Sequence, residues 1–276
     1  MMNDVLENRI RQYQPANALE QEHVLQEIMH QYILMSLSRS GFFKHALFHG
    51  GTCLRIFFRT ARFSEDLDIL LRSPDSTFTW AVYVEHIRRD CEAEGIRFET
   101  VDKPAAGHAV RKIIPKTDSI GTPVLLDLPY GRHGRAKLRI KLEVDTNPPA
   151  GSAFETRFLT FLGPAAVTTR DLPSGFATKA HALLCRGYAK GRDWYGFLWY
   201  VDRRVIPRFG LLQNALHQAG PWAGQSLRVQ FQARFAQPLP QIPQEPLGLS
   251  FVLETQHGVV RMAHHDHDDL EEQVLA

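Results

Sequence analysis

The sequence predicts an α+β fold: a mixed sheet flanked by helices over residues 1–165 and a helical C-terminal half over residues 166–276. Three observations predict it. Short apolar or alternating runs, bounded by turn residues, recur between helix-period segments in the first part. A β-rich stretch at 109–145 is broken by turns at Gly121, Pro123 and Gly131 to Gly134. After residue 165, alanine- and leucine-rich segments at helical spacing take over.

Residues 17–40 read as a helix, because Val24, Ile28, Tyr32 and Met35 recur at helical spacing and Gly41 follows as a stop. Residues 42–48 read as a short buried strand. A helix over 52–58 would open directly after Gly50-Gly51. Residues 66–72 read as a strand, with Leu67, Ile69 and Leu71 pointing into a core and Asp66 and Asp68 sharing the other face. A helix follows at 77–94, ended by Gly95, and then a strand at 96–101. At 138–145, Leu138, Ile140, Leu142 and Val144 share one face, while Arg139, Lys141, Glu143 and Asp145 share the other. Pro148-Pro149 ends this strand. Helices are expected at 174–186, with Ser174 as N-cap, at 192–204 and at 209–218. Residues 238–248 are proline-rich and read as a loop, and a charged tail follows.

Composition excludes several classes. Lys plus Arg number 32 and Asp plus Glu number 30, so the net charge of +2 selects no partner by itself. The basic residues are clustered, however. Arg132, His133, Arg135, Lys137, Arg139 and Lys141 fall within ten positions, which marks either a nucleic-acid patch or a solvated strand face. The 3 cysteines, Cys53, Cys91 and Cys185, are far apart, which argues against a disulfide framework and a zinc site. The N-terminus has no apolar signal core, and no run reaches the ~18 apolar residues of a membrane span. A cytoplasmic protein with no membrane partner is the expectation.

The chemistry concentrates between His49 and Leu71. Gly50-Gly51-Thr52 opens a helix, so free backbone amides there can face a phosphate. Asp66 and Asp68 lie side by side, and two such charges at ~5 Å repel by roughly 3 kcal/mol at an effective dielectric near 20. A divalent cation between them relieves that repulsion. Mg²⁺ or Mn²⁺ held by one or two carboxylates plus substrate phosphates fits the pattern. Glu143 is the candidate third ligand, with Asp145 competing for the role. Arg62 and Ser64, between the turn and the carboxylate strand, join the turn as triphosphate contacts. The reaction implied is nucleotidyl transfer from a nucleoside triphosphate. The cluster of His264, His265, Asp266 and His267 resembles metal ligands but lacks apolar neighbours to fix it. Trp194, Trp199 and Tyr200 could stack bases, although their spacing favours core packing.

The segments HGGTCLRIFF and RFSEDLDILL resemble the signature of the AbiEii/AbiGii-type nucleotidyltransferase toxins, in the DNA polymerase β-like nucleotidyltransferase superfamily. LRIKLEVDTNPP resembles the family's intervening acidic strand, and Glu143 is its best match. GFATKAHALLCR resembles the helix with a lysine near its start, here Lys179. KGRDWYGFLWYV resembles the Arg-Asp-x-x-Asp helix through Arg192 and Asp193. The resemblance spans about residues 45–205. It implies a nucleotidyltransferase fold, a divalent metal, Mg²⁺ or Mn²⁺, and a nucleoside triphosphate substrate. It also implies a toxin role in toxin–antitoxin or phage-abortive defence, with the tRNA 3′ end as acceptor and a cognate antitoxin as partner. Carried over residue by residue, Gly50, Gly51 and Thr52 match the phosphate turn, Asp66 and Asp68 the metal pair, Lys179 the triphosphate lysine, and Asp193 the first acid of its motif. The second acid is replaced by Gly196, which puts activity or acceptor choice at issue. Transfer to a protein or small-molecule hydroxyl, and nucleotide binding without catalysis, are the alternatives.

Overall fold

A computed structural model describes residues 8, 11–100, 119–128, 136–160, 163–186, 191–225, 228–234, 248–255, 258–264 and 272–275. The chain divides into two compact units, Met1–Pro148 with Phe154–Arg170, and Pro149–Ala153 with Asp171–Ala276.

The first unit is built on a seven-stranded mixed sheet. Its strands are β1 (Ala46–His49), β2 (Asp66–Leu71), β3 (Arg97–Thr100), β4 (Ser119–Leu128), β5 (Ala136–Asp145), β6 (Phe154–Leu159) and β7 (Ala165–Arg170), in the spatial order β3-β4-β5-β2-β1-β7-β6. β2 lies at the centre, antiparallel to β1 and parallel to β5. The long helix α1 (Ala18–Arg39) starts at an Asn17 cap, whose side chain accepts from the Glu20 amide, while Glu20 reaches back to the Ala16 amide at 2.8 Å. Its residues Ile33, Leu34 and Leu37 are fully buried, because this helix packs into the core rather than along a surface. It shares one core with Leu67, Ile69 and Leu71 of β2, with Leu138, Ile140, Leu142 and Val144 of β5, and with Ile87 and Cys91 of α3 (Ala81–Ala93). The apolar alternation of β2 and β5 thus turns one sheet face to the helices and leaves the carboxylates on the other. The α+β fold with a mixed sheet flanked by helices is therefore the observed one.

Several local expectations shift. Residues 42–48 form a 3-10 turn at Phe42–Lys44 before β1, because Gly41 enters with φ +77°. The helix opens at Gly50 rather than Thr52, as α2 (Gly50–Phe58). The helix expected from residue 77 begins at Ala81, since Asp75 Oδ1 accepts from both the amide and hydroxyl of Thr77 and holds a turn there. Helical character after residue 165 is delayed by β7. Its sequence AAVTTR is short and small, and pairing with β1 and β6 makes it a strand.

Among the described residues, the second unit holds three helices, α4 (Leu172–Cys185), α5 (Gly191–Asp202) and α6 (Phe209–Gln218). Beyond them lies a four-stranded antiparallel sheet, β8 (Arg228–Arg234), β9 (Gly248–Thr255), β10 (Gly258–His264) and β11 (Glu272–Leu275), in the order β11-β10-β9-β8. Asp171, not Ser174, caps α4. Its side chain accepts from the Ser174 amide at 3.0 Å, and Pro173 occupies the tolerant first turn. The Ser174 hydroxyl instead accepts from the Ala153 amide and from Arg208 Nε, both at 3.0 Å. The expected loop at 238–248 lies almost wholly outside the described residues, as do His265, Asp266 and His267.

Candidate active site

The site forms where β1 turns into α2 beside the ends of β2 and β5. His49 is extended, and Gly50 then takes φ +83°, a left-handed conformation that glycine adopts without steric penalty. The reversal starts α2 at the edge of β2. A Cβ on Gly50 would lie 2.4 Å from Asp68 Oδ2, so the Asp68 carboxylate occupies the space that a side chain would fill. A Cβ on Gly51 would lie 2.9 Å from Ser64 Oγ and 3.7 Å from a terminal nitrogen of Arg62. The turn, Asp68, Ser64 and Arg62 are thus one cluster around a helix N-terminus, where amides and dipole favour an anion.

Thr52 plays a different part from the one its position suggests. It is buried, and its hydroxyl donates to the Asp66 carbonyl at 2.5 Å. Its side chain is a strut that locks α2 onto β2.

The loop carrying Arg62 and Ser64 is pinned by residues that the sequence did not mark. Arg55 donates to the Thr60 and Ala61 carbonyls at 2.7 and 3.1 Å, pairs with the buried Glu27 at 2.6 Å, and lies 4.0 Å over the Phe63 ring. Gln26 and the buried His30, both on α1, reach the Glu65 carbonyl at 3.2 and 3.1 Å. With a carbonyl as partner, His30 Nε2 must be the protonated nitrogen. Burial lowers the His30 pKa from 6.5 to about 4 despite that bond, so the ring is neutral. No sequence signal identified these struts, because each acts across 5 to 39 positions of chain.

The three candidate carboxylates share a sheet face. Asp66 and Asp68 alternate with buried Leu67, and in the parallel β2–β5 register Asp68 lies opposite Glu143 and Asp66 opposite Lys141. Glu143 is already engaged. Its Oε2 binds the Lys141 ammonium, and its Oε1 accepts from the Ser119 hydroxyl at 2.9 Å. Burial alone would lower the Lys141 pKa, but the Glu143 hydrogen bond and charge, helped by Asp66 and Asp68, raise it overall. Asp145, the rival for the third position, uses Oδ1 to accept from the Asn147 amide at 3.0 Å. Among the described residues, no group of three His, Cys, Asp or Glu side chains is gathered to hold a metal ion. The donor set still fits a hard divalent ion: two carboxylates on one strand face beside a helix N-terminus are the kind of oxygen ligands that Mg²⁺ uses together with substrate phosphates.

The second unit carries the remaining two candidates. Asp193 on α5 is 2% exposed. Its Oδ1 takes Lys179 Nζ at 3.2 Å and its Oδ2 binds Arg186. Both oxygens therefore position cations, and Asp193 is placed to orient Lys179. Gly196 gives that lysine room: a Cβ there would lie 3.0 Å from Lys179 Cε. Trp199 and Tyr200 are buried, and Tyr200 stacks on Phe176 at 5.2 Å, so these aromatics build the helix interface.

Among the described residues, no helix is long and apolar enough to cross a membrane. The sequence profile described as "Nucleotidyl transferase AbiEii toxin, Type IV TA system" matches residues 32–259. The chain is also similar to two solved structures. JHP933 from Helicobacter pylori aligns at 14% identity and TM-score 0.41, over 65% of this chain and 66% of that one. A candidate nucleotidyltransferase from H. pylori aligns at 15% identity and TM-score 0.39, over 64% and 65%. Just under two thirds of each of those chains is therefore spanned. No curated protein sequence matches.

Proposed function

The chain belongs to the nucleotidyl transferase AbiEii toxin family, and we propose that it transfers a nucleotide from a nucleoside triphosphate to the 3′ end of tRNA. The observation that carries this reading is the packing of the Asp68 carboxylate into the space left by Gly50, at the N-terminus of α2. That contact sets the N-terminus of α2, a helix end that favours anions, against the Asp68 carboxylate.

In this reading the amides of Gly50 and Gly51, with Arg62 and Ser64, hold the triphosphate. Asp66 and Asp68 hold a divalent ion, Mg²⁺ or Mn²⁺, with Glu143 as third ligand. When bound, such an ion stabilises the charge on the leaving pyrophosphate and favours the deprotonated acceptor hydroxyl. The acceptor oxygen bonds to the α-phosphorus as the bond to the β-phosphate oxygen breaks, pyrophosphate leaves, and the hydroxyl proton passes to water. By resemblance to the family, Lys179 is the candidate triphosphate lysine, and within its own unit Asp193 orients its ammonium. Lys137 and Arg139 are exposed on the face of β5 that also carries Glu143, which supports an RNA backbone docking beside the site. Of the rest of that basic run, Lys141 pairs with Glu143, and Arg132, His133 and Arg135 lie outside the described residues.

Family membership supports a toxin role within a Type IV toxin–antitoxin system. A cognate antitoxin, a part in phage defence and action in the cytoplasm extend the same proposal. The test is incubation with each α-labelled nucleoside triphosphate, Mg²⁺ and total tRNA. Label should enter tRNA and vanish with Asp66→Ala. Label on a protein or small molecule would replace the acceptor. Absence of any transfer, with Asp66→Ala behaving as wild type, overturns the reading.

A further inference from the structure

Lys141 has no part in the reaction described above, yet it sits among the candidate carboxylates. It lies opposite Asp66 in the β2–β5 register, and its ammonium binds Glu143 Oε2. Ser119 donates to the other Glu143 oxygen. Both oxygens of the third carboxylate are therefore engaged within the protein. The lysine side chain is 41% exposed and that of Glu143 only 14%, so the cation reaches inward from the rim to a more enclosed anion. β4 leaves room for this reach. Gly121 lies directly opposite Glu143, and a Cβ there would come 3.3 Å from Lys141 Cε. Gly121 is not among the positive-φ glycines, so its missing side chain provides space rather than backbone freedom.

Three acidic side chains facing one way on two neighbouring strands repel one another, and the repulsion needs a positive charge to offset it. Here the chain supplies one covalently. We propose that Lys141 is a tethered cation that competes with the divalent ion for Glu143. The ammonium holds the third carboxylate until a divalent ion displaces it and completes its own shell. The inference rests on the reading of Asp66, Asp68 and Glu143 as a metal site. One consequence is a bias toward an ion arriving with a triphosphate. A bare cation meets the ammonium as a repulsive charge, whereas phosphates brought with the ion offer the released ammonium a new partner.

The test measures Mn²⁺ binding to the full chain by electron paramagnetic resonance, without nucleotide. Lys141→Met keeps the aliphatic stem over Gly121 and removes only the charge. It should bind Mn²⁺ on the order of tenfold more tightly than wild type, the weight of one partly exposed charge pair. Lys141→Arg should stay near wild type. In a Glu143→Gln background, Lys141→Met should gain almost nothing, because the contact it relieves is already gone. Thermal unfolding of each variant checks that the fold is kept. An unchanged affinity in Lys141→Met overturns the proposal. So does a gain that persists in Glu143→Gln, which would mean a diffuse field rather than competition for that carboxylate. Joint substitution Asp66→Ala with Asp68→Ala separates the two levels. If Mn²⁺ binding is lost there yet Lys141→Met has no effect, only the lysine inference falls. If Mn²⁺ binding does not depend on the aspartates, the metal-site reading falls as well.

Discussion

Replacing Gly50 with alanine strikes the corner through two separate costs. The backbone at Gly50 has φ +83°, and an L residue held in that region costs about 1–2 kcal/mol. The new Cβ would meet Asp68 Oδ2 at 2.4 Å, Asp68 Cβ at 3.0 Å and Asp68 Cγ at 3.1 Å. Rotating the carboxylate relieves only part of this, because Asp68 Cβ is fixed by a backbone paired to β1 on one side and β5 on the other. Crowding of that kind costs about 1–3 kcal/mol. Gly50→Ala should therefore lose roughly 2–5 kcal/mol of unfolding free energy, the sum of the two. Gly51→Ala is the matched control. Its backbone is not left-handed, and its Cβ would meet the Ser64 hydroxyl at 2.9 Å, a group that can rotate away. Alanine also gains about 1 kcal/mol of helix propensity there, so the net stability change should stay within about 1 kcal/mol. Both variants should lose nucleotidyl transfer, Gly50→Ala by displacing Asp68 and Gly51→Ala by weakening triphosphate binding, read as a raised KM. Urea unfolding followed by circular dichroism, with labelled transfer alongside, measures both effects. Equal stability of the two variants would refute the argument that Gly50 is required for its backbone and for the space it cedes to Asp68.

Three further outcomes follow from the same geometry. Asp193→Asn leaves Lys179 and Arg186 without their shared buried anion, and should cost about 2–3 kcal/mol, below the range for fully buried pairs because both cations are partly exposed; urea midpoints and the KM for nucleotide read the two effects. Gly196→Ala should leave stability nearly unchanged, since helix propensity offsets crowding of the Lys179 stem, yet lower nucleotidyl transfer severalfold; an unchanged rate would show that the placement of Lys179 is irrelevant. His30 has a folded-state pKa depressed to about 4 from 6.5, so the unfolded chain binds the extra proton first as pH falls. Its contribution is present above pH 6.5 and is lost between there and about 4, a loss of about 3 kcal/mol by proton linkage. Unfolding free energies measured across that window should show a steeper decline for wild type than for His30→Gln.

The amino-acid sequence determined whatever depends on local periodicity. Alternation alone put Leu67, Ile69 and Leu71 on one face of β2 and Asp66 and Asp68 on the other, because a strand's side chains point to opposite sides in turn. The same rule sorted β5 into Leu138, Ile140, Leu142 and Val144 against Lys141 and Glu143, and Gly50-Gly51 announced the corner between strand and helix. Tertiary structure decided what rests on partners distant in the chain. Residues 165–170 became a strand through pairing with β1 and β6, against their weak local preference. The struts Gln26, His30 and Arg55 are indistinguishable in sequence from ordinary helix residues, and only the folded chain brings them to the loop of Arg62 and Ser64. The occupation of Glu143 by Lys141 and Ser119, and of Asp193 by Lys179 and Arg186, likewise depends on which charges the register and helix packing place within reach. A carboxylate's role is set by its nearest cation, and local periodicity carries no information about a neighbour from another strand or helix.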